Sequence, residues 1–320
     1  MKGSGALTIV SKYVRCDVGA TFADYSGELT LSGSQFRLMS NVTDMSKARV
    51  IIDAATNVGH YKGGSGNAVT ATTKIGSLSS AKTATDGILG GSASTYEVGY
   101  LNDNSDFYGL LQCARMVKVG NGMLSLHTAG HSAPMTINGG TLSLSGPSAA
   151  VMTTGAVTVA NGGTLTATGE QGIGSDLTLN KGARLLCQLT ATTNSILSVS
   201  GSVNHNGDTI VVKVPAGRKL EVGDEITVFS STGAHTGNFF VKSEADGITY
   251  EFDSSTFLSD GKLRVTCVAT GIARLKADGT HVDVYSSDGI KIRHNVIVSE
   301  ALNDLPEGIY IIGNQKVVKK

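Results

Sequence analysis

One short pattern constrains this chain more than anything else in it: a glycine, one variable residue, then alternating apolar and hydroxyl residues. It occurs as Gly5-Ala6-Leu7-Thr8-Ile9 and Gly27-Glu28-Leu29-Thr30-Leu31. It returns as Gly122-Met123-Leu124-Ser125-Leu126, Gly140-Thr141-Leu142-Ser143-Leu144 and Gly163-Thr164-Leu165-Thr166-Ala167, with a degenerate copy at Gly182-Ala183-Arg184-Leu185-Leu186. The glycines lie 22 residues apart in the first pair, then 18, 23 and 19 in the later series. Period-two alternation gives a strand with one apolar and one polar face. Asn138-Gly139-Gly140 and Asn161-Gly162-Gly163 precede two copies, and this pairing readily takes the positive φ of a sharp corner. Hairpins would repeat at about half the spacing. A period near twenty instead predicts a three-sided solenoid whose coils bury their apolar faces only by stacking. Residues 1–205 would supply about ten coils, a rod of about 50 Å.

Composition agrees with that architecture. There are 41 glycines among 320 residues, no tryptophan, 40% apolar and only 16% charged residues. Glycine at that level works against long helices, and valine, isoleucine and leucine are spread along the whole length, which argues against disorder. Twenty-six basic residues balance 26 acidic ones, so no net field draws the chain to nucleic acid or an anionic membrane. No apolar run is long enough for a transmembrane helix. Cys16, Cys113, Cys187 and Cys267 form no C-x-x-C pair and read as small core side chains. Residues 34–110 show the pattern less openly, with short strands such as Ala48–Ile52 and loops such as Gly63-Gly64-Ser65-Gly66.

The stretch Lys118–Leu126 followed by Ile137-Asn138-Gly139-Gly140-Thr141-Leu142 resembles the strand repeat of autotransporter-type passenger domains. Lys74–Leu78, Tyr96–Gly99 and Phe107-Tyr108-Gly109 fall in the order that family shows. Val222–Phe229 through Thr236-Gly237-Asn238-Phe239 is similar to the closing segment of such passengers. The likeness covers most of residues 1–267 and implies a right-handed parallel β-helix, secreted or held at a bacterial surface. On this basis residues 1–205 are expected to form β-helix coils and 206–270 the terminal coils and cap.

After Thr270-Gly271 glycine thins out and charge rises. Val282–Tyr285 and Lys291–Arg293 alternate as strands around a Ser287-Asp288-Gly289 turn; Leu305-Pro306-Glu307-Gly308 turns into Ile309–Ile312, and a Gly313-Asn314 corner leads to Lys316–Lys320. Residues 271–320 thus read as a small antiparallel, sandwich-like module. Tyr285, Asp288, Gly289, Leu305, Pro306, Gly308 and Tyr310 resemble the pattern of the C-terminal sorting domain of Bacteroidetes type IX secretion cargo. That pattern has an arginine after the turn glycine, where Ile290 stands here. The likeness implies export across, or retention at, the outer membrane, with the secretion machinery as partner. Met1-Lys2-Gly3-Ser4-Gly5 leads directly into a strand with no apolar signal segment, so the expectation is a C-terminal portion of a longer surface protein. Asp208-Thr209-Ile210 resembles an O-glycosylation triplet of the same phylum.

Parallel β-helices include polysaccharide lyases and hydrolases, which need a base and paired carboxylates. Asp103 and Asp106, near Glu97, form the one acidic loop that suits a cation, and its plainer reading is a polar turn. Glu221 and Asp224 also read as a turn. His127 and His131 have the spacing of a helical zinc pair, which Gly130 and Pro134 oppose. No P-loop, nucleophile elbow or dinucleotide fingerprint is present. Tyr96, Tyr100 and Tyr108 are the candidate carbohydrate contacts, with Tyr96 and Tyr100 of the same parity and so able to share a strand face. No catalytic residue, metal or cofactor is expected. The sequence therefore points to a structural or adhesive surface solenoid contacting glycans or cell-surface components. The alternative is the noncatalytic end of a polysaccharide-degrading enzyme.

Overall fold

The computed structural model describes residues 1–60, 69–270, 281–312 and 315–319. The Gly63–Gly66 corner, the start of the C-terminal module at residue 271 and the Gly313-Asn314 corner lie outside those residues. The chain is nearly all β, with a parallel solenoid of about 9 turns and separate small antiparallel sheets at the C-terminal end.

The repeat dictates three strands per coil. Met135–Ile137, Gly140–Leu144 and Ala150–Thr153 make one coil, and Val157–Val159, Gly163–Ala167 and Glu170–Ile173 make the next. Each strand pairs in parallel with its counterpart one coil on. Period-two alternation then sorts side chains into inward and outward columns. Leu142, Leu165, Leu185, Ile210 and Val241 are successive partners in one inward column. Another runs Met45, Ile75, Val98, Lys118, Ile137, Val159, Leu179, His205. Its aliphatic members are at most 1% exposed, and burying each such side chain contributes about 1.5–3 kcal/mol. The corners follow the Asn-Gly signal: Gly162 takes φ +84 between Asn161 and Gly163.

Lys118 departs from that aliphatic column. It is 1% exposed, and its ammonium donates to Val119 O at 2.6 Å and to Gly120 O and Gly139 O at 3.4 Å. Backbone carbonyls at the corner stand where a carboxylate would be expected, and burial pushes its pKa down to about 8. Arg37, also 1% exposed, is instead held by a two-pronged pair with Asp17 at 2.6 and 2.5 Å.

Parallel stacking runs on through Val203–Lys213 to His235–Glu244. The core is then closed by aromatic rings. Phe257, in the single-turn helix Phe257–Asp260, packs on Phe239 at 4.7 Å and Phe229 at 5.9 Å between ring centroids. An antiparallel sheet of Glu225–Thr227, Lys262–Thr270 and Ile248–Asp253 flanks it. The C-terminal module is one four-stranded antiparallel sheet: His281–Ser286 lies between Lys291–Ile297 and Gly308–Ile312, and Gln315–Lys319 forms the far edge. Its small core is Val284, Ala301, Tyr310 and Ile312. All four thiols are free; Cys113 and Cys187 are buried, and burial pushes these two up to about 12 and about 11.

Candidate functional site

Register turns single outward residues into a surface row, broken once where Val117 is buried. Asp44, Lys74, Glu97, Val117, Thr136, Thr158, Thr178, Asn204 and Thr236 are successive partners on one face of the solenoid. Its first three members alternate in sign, two carboxylates flanking one ammonium, and leave one net negative charge. From Thr136 onward the row is uncharged and spans roughly 19 Å, four steps at the spacing of strands. Thr136, Thr158, Thr178 and Asn204 are half-buried and Thr236 is exposed.

A second row runs beside the last part of the first. Asn180, Asn206 and Asn238 are in register, two residues along each strand. Asn206 Nδ2 donates to Asn180 Oδ1 at 3.3 Å, and Thr236 Oγ1 donates to Asn204 Oδ1 at 3.3 Å. Six hydroxyl and carboxamide side chains on three coils thus form a flat, neutral grid of donors and acceptors, fixed to strands rather than loops. Such a grid offers repeated hydrogen bonds to an extended ligand and no charge to attract an ionic one.

The inward residues of the same strands form a second cluster. His205 and Asp208 are at most 1% exposed, and His205 Nδ1 lies 2.9 Å from Asp208 Oδ1. His205 Nε2 meets His235 Nε2 at 2.9 Å. The carboxylate accepts from Nδ1–H, so the two facing nitrogens share one proton between them. Burial, and then charge on His205, push His235 down to about 4. His235 is therefore neutral at physiological pH.

The residues singled out from sequence are placed as follows. Tyr96 is fully buried, its hydroxyl donating to Gly90 O at 3.1 Å, and presents no surface to a ligand. Parity does not carry across to Tyr100, because the strand Ile88–Val98 ends first and Gly99 turns the chain with φ +122. Tyr100 is 37% exposed. Its hydroxyl donates to Glu97 Oε2 at 2.5 Å and its ring lies 5.7 Å from Lys74 Nζ, which puts it beside the charged end of the outward row. Burial, reinforced by Glu97, pushes it up to about 12. Tyr108 lies just past the strand Ser105–Phe107 and stacks on His127 at 4.2 Å.

Asp103 and Asp106 are drawn apart by separate partners. Asp103 pairs with Arg49 at 2.7 Å and Asp106 with His127 at 2.7 Å. Among the described residues no group of three or more potential ligands could hold a metal ion. His131 is not a partner of His127: it is fully buried, its Nδ1 accepting from Leu111 N–H at 3.0 Å. Glu221 and Asp224 do form a turn, closed by Asp224 N–H to Glu221 O at 3.1 Å. Asp208 of the glycosylation-like triplet faces the core.

In the C-terminal module the pattern residues have structural places. Asp288 and Gly289 form the turn, Gly289 at φ +84. Tyr285 sits opposite Ile311. Leu305 packs against the small core, and Tyr310, 5% exposed, donates to Pro306 O at 2.7 Å just before Gly308 opens the strand.

Fold and surface together define a parallel β-solenoid with a neutral outward grid. No protein-family model matches the chain, and no curated protein matches it in sequence. The autotransporter and sorting-domain likenesses receive no support from those comparisons. Sequence reasoning missed the outward row and the histidine chain. The row was present in Met135-Thr136-Ile137, Val157-Thr158-Val159 and Leu177-Thr178-Leu179, each a hydroxyl between two apolar residues. The histidine chain had only the three-residue spacing of His205 and Asp208 as a signal.

Proposed function

We propose that this protein is an extracellular, bacterial surface-display solenoid whose uncharged outward row binds neutral polysaccharide by multivalent contact. The observation that carries this reading is the in-register grid of Thr178, Asn180, Asn204, Asn206, Thr236 and Asn238. A polysaccharide repeats its hydroxyls along its length, and a rigid solenoid repeats donors and acceptors along its axis. Each contact is weak, and affinity accumulates through effective concentration. Strand-borne side chains lose little freedom on binding, which limits the ordering cost.

Co-sedimentation with insoluble neutral glucans and mannans tests the proposal. Wild type is retained, and a Thr178→Glu, Asn206→Glu variant is released, with affinity lowered at least tenfold because two unpaired carboxylates must be desolvated on binding. Equal retention of both proteins refutes the assignment to this face. Release of unsaturated uronate from pectin or alginate would instead support descent from a lyase.

The C-terminal module serves, in this proposal, as the export and anchoring address. Tyr285, Asp288, Gly289, Leu305, Pro306, Gly308 and Tyr310 support that reading through their likeness to the sorting pattern. In a host with type IX secretion, the chain behind an export signal reaches the cell surface, and loss of residues 281–320 leaves it in the periplasm. Surface exposure without those residues would rule the address out.

A further inference from the structure

The closed end of the solenoid holds a cavity of about 270 Å³ between the strand Phe229–Ser231 and the turn of helix at Phe257–Asp260. Ser230, Ser259 and Asp260 line its polar side, Phe229 and Leu258 its apolar side, and His235 also lines it. This space is separate from the outward grid. His235 lies on the inner side of the strand whose next residue, Thr236, faces outward.

Charge decides what the cavity can take. Asp260 is its only carboxylate, and Arg264 neutralises it through Nη2 at 2.6 Å, while Thr256 Oγ1 donates to it at 3.0 Å. His235 is uncharged, so an anion finds no cation among the lining residues. A metal cation would need three or more ligating groups, and the described residues provide no such cluster. What remains is a compact neutral ligand rich in donors and acceptors. The volume lies just under the ~300–1,000 Å³ of pockets for drug-sized ligands, which suits a single ring.

The histidine chain adds chemistry specific to a hydroxyl. Nε2 of His235 is engaged with His205, so Nδ1 is the ring nitrogen left for a ligand. When His235 donates to His205 from Nε2, its Nδ1 is an acceptor; when Nε2 instead accepts from His205, Nδ1 is the donor. A hydroxyl both donates and accepts, so it is matched in either state. A carbonyl, which only accepts, or an ammonium, which only donates, is matched in only one.

We infer that this cavity is a binding site for a single neutral sugar ring, with His235 as its specificity-determining contact and the His205–Asp208 pair buried behind it. Leu258, 38% exposed at the rim, lies against the carbon face of the ring. Ser230 and Ser259 take further hydroxyls.

Saturation-transfer NMR with methyl glucoside, methyl galactoside, methyl mannoside and N-acetylglucosamine, alongside glucuronate and phosphate, tests the site on the full chain. At least one neutral sugar binds saturably in the millimolar range, and neither anion does. Leu258→Trp, which fills the cavity from its exposed rim, abolishes binding. His235→Phe weakens it at least tenfold, and His235→Gln, which can donate and accept, recovers part of the loss. The Thr178→Glu, Asn206→Glu variant binds the small sugars as wild type does, whatever it does to polysaccharide. Absence of saturable binding by all four sugars, equal binding by Leu258→Trp, preference for an anion, or loss in the outward-row variant would each overturn the assignment.

Discussion

Lys118 occupies a position that the repeat reserves for an aliphatic side chain. Its folded pKa of about 8 lies below the ordinary 10.5, so the unfolded chain binds more protons between those values. Stability therefore rises with pH from about 8 to about 10.5, by roughly 3 kcal/mol for this group alone. Denaturant titrations of wild type against Lys118→Met measure it: the variant lacks that rise, and parallel pH profiles would contradict the assignment. Histidine gives the opposite end of the scale. Burial depresses fully buried His131 to about 4 from an ordinary 6.5. The fold keeps it neutral, so its contribution is complete above pH 6.5 and falls as pH drops toward 4. His131→Phe is expected to remove roughly 3 kcal/mol of the acid loss, read as a smaller shift in urea midpoint between pH 7 and pH 4. An unchanged shift would show that His131 is not protonated on unfolding. His60 and His235 are depressed for the same first reason, burial, and act in the same direction.

At the scale of strands and corners, close backbone approach sets the tolerance to change. Gly237 has φ +103, and a Cβ there would lie 1.8 Å from His205 O. Gly237→Ala is expected to destabilise the chain by on the order of 2–4 kcal/mol. Gly5, with nothing within 4 Å, should tolerate alanine within ~0.5 kcal/mol. Equal thermal midpoints for the two variants would contradict this account of close backbone approach. The strands themselves were readable from sequence, because Gly-x-Leu-Ser/Thr-Leu states both the alternation and the turn. Asn-Gly corners were readable for the same local reason. The site was much less so. Tyr96 and Tyr100 share parity, yet the turn at Gly99 intervenes, and parity has meaning only inside one strand. Thr136 and Thr236 are a hundred residues apart and become members of one row only through coil-by-coil register, which depends on the varying lengths of the intervening loops. His205 and His235 meet for the same reason.

At the scale of the whole molecule, the solenoid converts a weak local motif into a long, rigid surface. Stacking makes each coil depend on its neighbours, and the aromatic cluster of Phe229, Phe239 and Phe257 closes the end that the last parallel strand leaves open. One outward row then changes along its length, from Asp44, Lys74 and Glu97, which alternate in sign, past the buried Val117 to five uncharged polar residues. The chemistry suited to that surface is a neutral polymer lying along the axis, and its binding is expected to depend on how many coils the polymer crosses. Calorimetric titration of soluble neutral oligosaccharides of increasing length, drawn from whichever polysaccharide retains the protein, tests this directly. Affinity is expected to climb steeply until the chain spans roughly 19 Å, four strand spacings, and then to level off. Affinity that is independent of length, or absent at every length, would contradict it.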